Sequence, residues 1–292
     1  MWDQIINMLF GGTASGAMYA LVAIGFSLVY GVGGVLNLAH GGFFILTGYL
    51  VFWTLSLFNN AVWLSICVSL IIITIIGGIT YLLLIKPLQD SELSVVLVTF
   101  ALAFFFEHFI RVVWGSEYET ILELVIFPGS TDFFGVSLIN QLIFLILVSL
   151  TIVIIFMVSI NRLKIGKSIR AVSQDREAAT LMGINANRIL MYTVMISAFL
   201  AGLAAILYLP TQTLSPVGGW GVLTNAFAVV ILGGMGSLLG SIIGAFILGF
   251  ANSFTSVFIP NGPSWAHIVP IIIIVLVLLI RPQGLFGKKE IY

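Results

Sequence analysis

Between Gln4 and Ile85 the chain runs 82 residues without an Asp, Glu, Lys or Arg, and between Ile189 and Ile280 it runs another 92. One bilayer crossing needs only about 20 apolar residues, so each run has room for several. A water-soluble fold is excluded: charged residues are 8% of this 292-residue chain, against about 25% in soluble proteins. Stretches such as Ile71-Ile72-Ile73 and Ile271 to Leu279 are apolar on every side, whereas barrel strands alternate apolar with polar residues. Backbone in lipid must then satisfy itself as helix. The expected fold is all-α, a polytopic integral membrane protein of about 8 to 9 transmembrane helices, including broken or re-entrant segments.

Eleven basic and eleven acidic residues cancel, which leaves no excess charge for phosphates and argues against a nucleic-acid partner. One cysteine, Cys67, gives neither an internal disulfide nor a Cys cluster. Three scattered histidines without a His-Glu-x-x-His run make no metal site. The N-terminus, Met-Trp-Asp-Gln-Ile-Ile, lacks the basic stretch of a cleaved signal, so the first apolar segment is expected to remain as a span. Gly166-Lys167-Ser168 resembles the end of a phosphate-binding loop, but the glycine required five places earlier is Asn161. Thr13-Ala14-Ser15-Gly16 is close to the serine motif of intramembrane rhomboid proteases, yet Thr replaces the first Gly and no His-bearing helix is placed as its base.

Apolar runs between polar or Gly/Pro breaks place spans near 5–30, 34–58, 61–85, 93–114, 138–160, 189–209, 222–258 and 264–281. Ten of the eleven basic residues fall at Lys86, in the set Arg162, Lys164, Lys167, Arg170, Arg176 and Arg188, and in the tail at Arg281, Lys288 and Lys289. The positive-inside rule makes these segments cytoplasmic. Segment 115–137, with Glu117, Glu119, Glu123 and Asp132 and no Lys or Arg, fits the opposite side. Counting back from Lys86 puts the N-terminus outside and the C-terminus in the cytoplasm.

That parity requires 222–258 to begin and end outside. Gly233-Gly234-Met235-Gly236-Ser237 supplies the break, predicting a hairpin with a short first arm and a longer second one. Broken backbone at membrane depth is tolerated where it faces protein or a cavity. The break is therefore expected to line something, unless its glycines only permit close helix contact. A second break, Gly31-Val32-Gly33-Gly34, precedes Asn37-Leu38-Ala39-His40-Gly41-Gly42. Both stretches run on into Phe-Ile-Leu, at Phe44 to Leu46 and at Phe246 to Leu248, which fits either an internal repeat or convergent hydrophobic composition.

Small residues at helical spacing, at Gly12 to Gly16, at Ala198 with Gly202 and at Gly240 with Gly244, mark tight internal packing or a subunit contact. Polar groups in the spans are costly and need a reason. Asn37 and His40, three apart, could line a polar route or hydrogen-bond a neighbouring helix or freed carbonyl. Glu107 and Arg111, four apart, fit a helical ion pair, with a relay through Glu107 and His108 as the alternative. In the loop 161–188, Ser168 is expected to start a helix of about four turns, Gly183 to end it and Asn185 to open the next. Its apolar residues Ile169, Val172, Leu181 and Met182 suit either docking into a partner's groove or lying on headgroups, and periodicity leaves both open.

Glu177-Ala178-Ala179-Thr180-Leu181-Met182-Gly183 resembles the Glu-Ala-Ala loop of ABC importer permeases, with the glycine at its usual distance. Gly166-Lys167-Ser168-Ile169-Arg170-Ala171 resembles the lead-in of branched-chain amino acid permeases. Asn37-Leu38-Ala39-His40-Gly41, Val230 to Ser237 and Arg281 to Gly287 resemble that family's remaining motifs, in the family's order over nearly the whole chain. Leu38 replaces a common Phe, and Glu107-His108 stand where related chains often carry Leu-Gln. The length resembles the shorter of two permeases that pair.

The resemblance implies one permease domain over 1–292, carrying branched-chain or related aliphatic amino acids. It implies a second permease subunit, two cytoplasmic ATPase subunits and an extracytoplasmic solute-binding protein as partners, in a bacterial or archaeal plasma (inner) membrane. ATP and Mg would sit on the ATPase subunits, with no cofactor on this chain. Coupling to the ATPases would fall to Arg170, Asp175, Glu177, Ala178, Ala179, Leu181 and Gly183. The translocation pathway would involve Asn37, His40, Gly41, Gly233, Gly234 and Gly236, with the Gly-broken stretches rearranging to open it to each side in turn. Permeases for urea and short-chain amides share most of these motifs, and a secondary transporter that works without an ATPase is the other alternative.

Overall fold

The computed structural model describes residues 1–133, 135–266 and 268–287; Lys288 and Lys289 of the basic tail lie outside them. It is an all-α polytopic bundle. Its helices are α1 (Trp2–Gly33), α2 (His40–Leu57), α3 (Val62–Thr80), α4 (Glu92–Trp114), α5 (Asn140–Arg162), α6 (Lys164–Gln174), α7 (Arg176–Leu181), α8 (Ala186–Tyr208), α9 (Gly218–Gly233), α10 (Leu238–Phe258), α11 (Gly262–Ala266) and α12 (Val269–Ile280). Among the described residues seven helices are long and apolar enough to cross a membrane, and α9 and α12 are shorter apolar ones. α3 continues through a π turn, Tyr81–Ile85, to Lys86. An antiparallel hairpin, β1 (Ser130–Phe133) and β2 (Val136–Ile139), caps the start of α1, with Val136 and Leu138 packed on Ile6.

The helix ends near Lys86, Arg162 to Arg188 and Arg281 share one side, the basic face; the segment with Glu117, Glu119 and Glu123 lies at the other, the acidic face. Arg176 Nη2 donates to Gln89 Oε1 (3.1 Å), tying two of the basic segments together. α1, with 32 residues, is about 48 Å long and runs from the acidic to the basic face. α8 and α10 run the other way beside it, with Gly25 facing Ser197, Gly16 facing Phe246 and Gly31 facing Gly236.

The packing repeats with inverted direction. α1 packs on α8 and α10 as α8 packs on α1 and α3; α2 packs on α8, α3 and α4 as α9 packs on α1, α10 and α12. The repeat thus relates α1 to α8, α2 to α9, α3 to α10 and α4 to α12, with opposite senses through the membrane, an arrangement common in transporters. This corrects the pairing expected from Phe-Ile-Leu: Phe44 to Leu46 lie on α2, whose counterpart is α9, whereas Phe246 to Leu248 lie on α10. Three apolar residues recur by composition alone in helices this hydrophobic, so the triplet does not identify the structural counterpart.

Small residues sit where helices touch. A Cβ on Gly16 would stand 2.7 Å from the Phe246 ring, one on Gly77 2.7 Å from Ala198 Cβ, and one on Gly244 2.8 Å from Val229 O. Each expected small-residue stripe is therefore internal packing. Without a hydrophobic drive between helices in lipid, such close approach is what holds them.

Candidate functional site

α2 and α9 do not begin at a membrane face. α1 ends with Gly34 in the left-handed region, φ 66°, and the chain turns back into the bundle. His40, the first residue of α2, meets Val22, eleven residues before the end of α1, so α2 starts about 16 Å in from that end. Residues 209–217 mirror this from the acidic face, since Leu209 and Leu214 pack against Gly48 and α9 opens at Gly218 beside Ile45. The two starts cross at Gly41 and Gly219: a Cβ on Gly219 would lie 2.6 Å from Gly41 O. Only glycines allow helix backbones this close, so the crossing is shut by main chain rather than by side chains.

His40 is fully buried. Its Nε2 lies 2.9 Å from Val22 O, which can only accept, so Nε2 carries the proton and neutral Nδ1 accepts from Ser197 Oγ at 3.0 Å. The ring pins the start of α2 to α1 and α8. Asn37 Oδ1 accepts from Ala39 N–H (3.2 Å) and Leu38 N–H donates to Thr99 Oγ1 (3.1 Å), fixing the turn before it. Asn37 Nδ2 is buried without a partner.

Beside the crossing, Gly41, Gly42, Gly219, Trp220 and Glu107 wall a cavity of about 10 Å³, room for about one water. Glu107 is 7% exposed. Its Oε1 accepts from Arg111 Nη2 and its Oε2 from Trp220 Nε1, both at 2.6 Å. The expected ion pair is present; His108 is exposed, stacked on Phe104 and apart from it.

A second cavity, about 1110 Å³, lies at the basic face. Its walls come from the ends of α1, α9 and α12, the tail, and Arg170, Ser173 and Gln174 of α6. Most of its lining is apolar, including Phe227 and Ile231, and Ser27 Oγ, buried and unpartnered, belongs to it.

The glycine break falls where the sequence placed it, since α9 ends at Gly233 and α10 begins at Leu238. It lies level with Gly31, near the basic end of α1, rather than at mid-membrane depth. The first arm is also longer than expected, beginning at Gly218 and not at 222. Gly234 and Gly236 have φ 98° and 81°, which side chains rarely adopt. The last carbonyls of α9 are capped by the tail: Leu285 N–H donates to Leu232 O (2.8 Å) and Phe286 N–H to Gly233 O (3.0 Å). A Cβ on Gly234 would overlap the Gly287 backbone.

The basic-face loop differs from one continuous helix. α6 begins at Lys164, so Ser168 is not a cap; its hydroxyl donates back to Lys164 O (3.1 Å) inside the helix. The helix stops at Asp175, φ −157°, whose carboxylate accepts from Ala178 N–H (2.9 Å) and starts α7. Gly183, φ 86°, ends α7, and Asn185 Oδ1 caps α8 through Arg188 N–H (3.0 Å), as expected. The four apolar residues do not share a face. Ile169 and Val172 are buried in the bundle with Ala179, while Leu181 and Met182 stand 88% and 83% exposed. Arg170 holds Asn161 through Oδ1 (3.0 Å) and the carbonyl (3.3 Å). Glu177 and Ala178 are exposed beside them. Sequence reasoning missed Gly219, Trp220 and the capping by residues 285–286; the cluster Gly218-Gly219-Trp220-Gly221 was the available signal.

A multi-pass bundle with an inverted repeat and two half-buried helix starts is an arrangement common among transporters. Residues 8–278 match the family described as branched-chain amino acid transport system, permease component, and the chain belongs to that family. It is similar to the high-affinity branched-chain amino acid transport system permease protein BraD of Pseudomonas aeruginosa, 30% identical over 98% of this chain and 97% of that one. It is similar also to LivH of Salmonella typhimurium, 26% identical over 98% and 96%. LivM of the same organism is 26% identical over 92% of this chain but 67% of its own length. No solved structure matches the chain.

Proposed function

We propose that the chain is one of two permeases in an ATP-driven importer of leucine, isoleucine and valine, placed in the plasma (inner) membrane with its basic face in the cytoplasm and its N-terminus outside. The observation that carries this is the exposed pair Leu181 and Met182, held clear of the bundle by the Asp175 and Gly183 caps. An exposed apolar knob between two helices suits a groove on a soluble partner. In this reading Glu177, Ala178 and Leu181 meet an ATPase subunit, Ala179 and Arg170 anchor the knob to the bundle, and ATP and Mg stay on the ATPases. The second permease is a LivM-like chain, and a solute-binding protein delivers substrate at the acidic face.

Two features support an inward-facing arrangement: the basic-face cavity is large, and Gly41 and Gly219 meet main chain to main chain, which in this reading closes the way beyond the cavity. The cavity's apolar lining suits aliphatic side chains. Outward opening then requires α2 and α9 to part, with Asn37, His40 and Gly41 moving as the first turn of α2, and Gly233, Gly234 and Gly236 as the hinge beneath α9. Uptake of labelled leucine in a host without its own branched-chain uptake, expressing the complete transporter, tests the substrate. Competition by isoleucine and valine is expected; competition by urea or acetamide instead would overturn it.

A further inference from the structure

We infer that Glu107 is a positioning residue for transport: through Trp220 it ties the start of α9 to α4, which packs on α2 where Phe106 and Ala103 face Gly42, and so keeps the crossing shut on the acidic side. The inference rests on the reading of the chain as a permease. Among the described residues Glu107 and Arg111 form the one ion pair, and ion pairing alone does not explain its place. The Arg111 side chain is 39% exposed, where an ion pair contributes little, and an intramembrane carboxylate is costly. What an apolar residue would not provide is the second bond, from Oε2 to Trp220 Nε1 at 2.6 Å, across 113 residues to the first turn of α9. Trp220 immediately follows Gly219, the residue in contact with Gly41. Arg111, on the same carboxylate, leaves Oε2 to the indole and balances the charge.

Two further contacts make α9 follow α4. Phe100 and Phe104, two turns and one turn before Glu107, pack edge-on and tilted against the Trp220 ring, with centroids 5.5 and 4.8 Å away. The segment leading into α9 is paired to the loop that follows α4: Leu214 N–H donates to Glu119 O (2.7 Å) and Glu119 N–H to Leu214 O (3.0 Å). The beginning of α9 is therefore fastened from both sides to α4 and its extension. The directional bond between Glu107 and Trp220 is the one of these contacts that can be removed while the ring packing and the pairing of Leu214 with Glu119 stay in place.

The test is sided labelling in membrane vesicles containing the assembled transporter, with Cys67→Ser as background. Leu223→Cys reports on the crossing, whose wall Leu223 forms, and Met235→Cys reports on the basic-face cavity. Trp220→Phe keeps the ring packing and removes the N–H; Glu107→Leu removes both bonds; Glu107→Gln keeps an oxygen for the indole. Losing a charge-assisted hydrogen bond from one of two states shifts their ratio about tenfold or more. An impermeant maleimide applied to the acidic face should label Leu223→Cys about tenfold faster in Trp220→Phe and Glu107→Leu, slow labelling of Met235→Cys from the basic face, and lower the maximal uptake rate. Glu107→Gln should restore most of the parent behaviour. Parent labelling rates in both Trp220→Phe and Glu107→Leu would overturn the inference. Should one of these two fail to assemble, parent rates in the other overturn it equally. Labelling needs no known substrate, so a chain that carried no leucine would refute the proposed function while leaving this test intact.

Discussion

Placing an alanine at position 219 and, separately, at position 221 separates close helix contact from helix propensity. Both glycines lie in the first turn of α9, and alanine gains the same intrinsic propensity at either, up to about 1 kcal/mol. That gain cancels in the comparison. At Gly221 a Cβ meets nothing within 4 Å; at Gly219 it lies 2.6 Å from Gly41 O and 3.1 Å from Ile45 Cγ2. The oxygen belongs to a helix start pinned by His40, so it cannot step aside cheaply. Overpacking of this kind costs about 1–3 kcal/mol, which is the expected gap between the two variants. Thermal unfolding midpoints of the purified transporter, at one scan rate, should rank Gly221→Ala at or above the parent and Gly219→Ala clearly below it. Leucine uptake should fall only in Gly219→Ala. Equal midpoints and equal uptake would refute the claim that backbone contact closes the crossing.

Three other outcomes follow from the geometry. Leu181→Asp with Met182→Asp should leave the permease's unfolding midpoint unchanged, because both side chains are exposed, yet abolish pull-down of the ATPase subunits. His40→Ala should lower the yield of folded protein, since it removes two buried hydrogen bonds worth about 0.5–1.5 kcal/mol each and opens a void; thermal unfolding reads the loss. Ending the chain after Gln283 uncaps Leu232 O and Gly233 O and should destabilise the end of α9 by about 1–3 kcal/mol per buried unsatisfied carbonyl, detected as faster proteolysis near Met235.

The spans, the break at Gly234 to Gly236 and the caps at Gly183 and Asn185 were legible because each depends on local chemistry: apolar runs, positive φ, side-chain oxygens. The start of α9 was not, since three glycines in Gly218-Gly219-Trp220-Gly221 read as a loop when their reason is the approach of Gly41. Asp175 was read as part of one continuous helix, though an Asp three residues before a free N–H is also a start signal, and here it splits the helix. Glu107 showed its partner four residues away and hid the one 113 residues away, which periodicity cannot reveal. The lead-in 209–217 carries no apolar periodicity; the pairing of Leu214 with Glu119 and the packing of Leu209 and Leu214 on Gly48 place it.

In the proposed function, work done on partner subunits reaches this bundle through the knob between Asp175 and Gly183. Proteoliposomes holding the complete transporter, with binding protein and leucine outside and ATP at the basic face, measure it directly. Leucine should accumulate above its external concentration only when ATP is hydrolysed, and the Leu181→Asp, Met182→Asp permease should neither accumulate leucine nor raise hydrolysis. Accumulation by the permeases without ATPase subunits, or undiminished accumulation by that variant, would contradict the account.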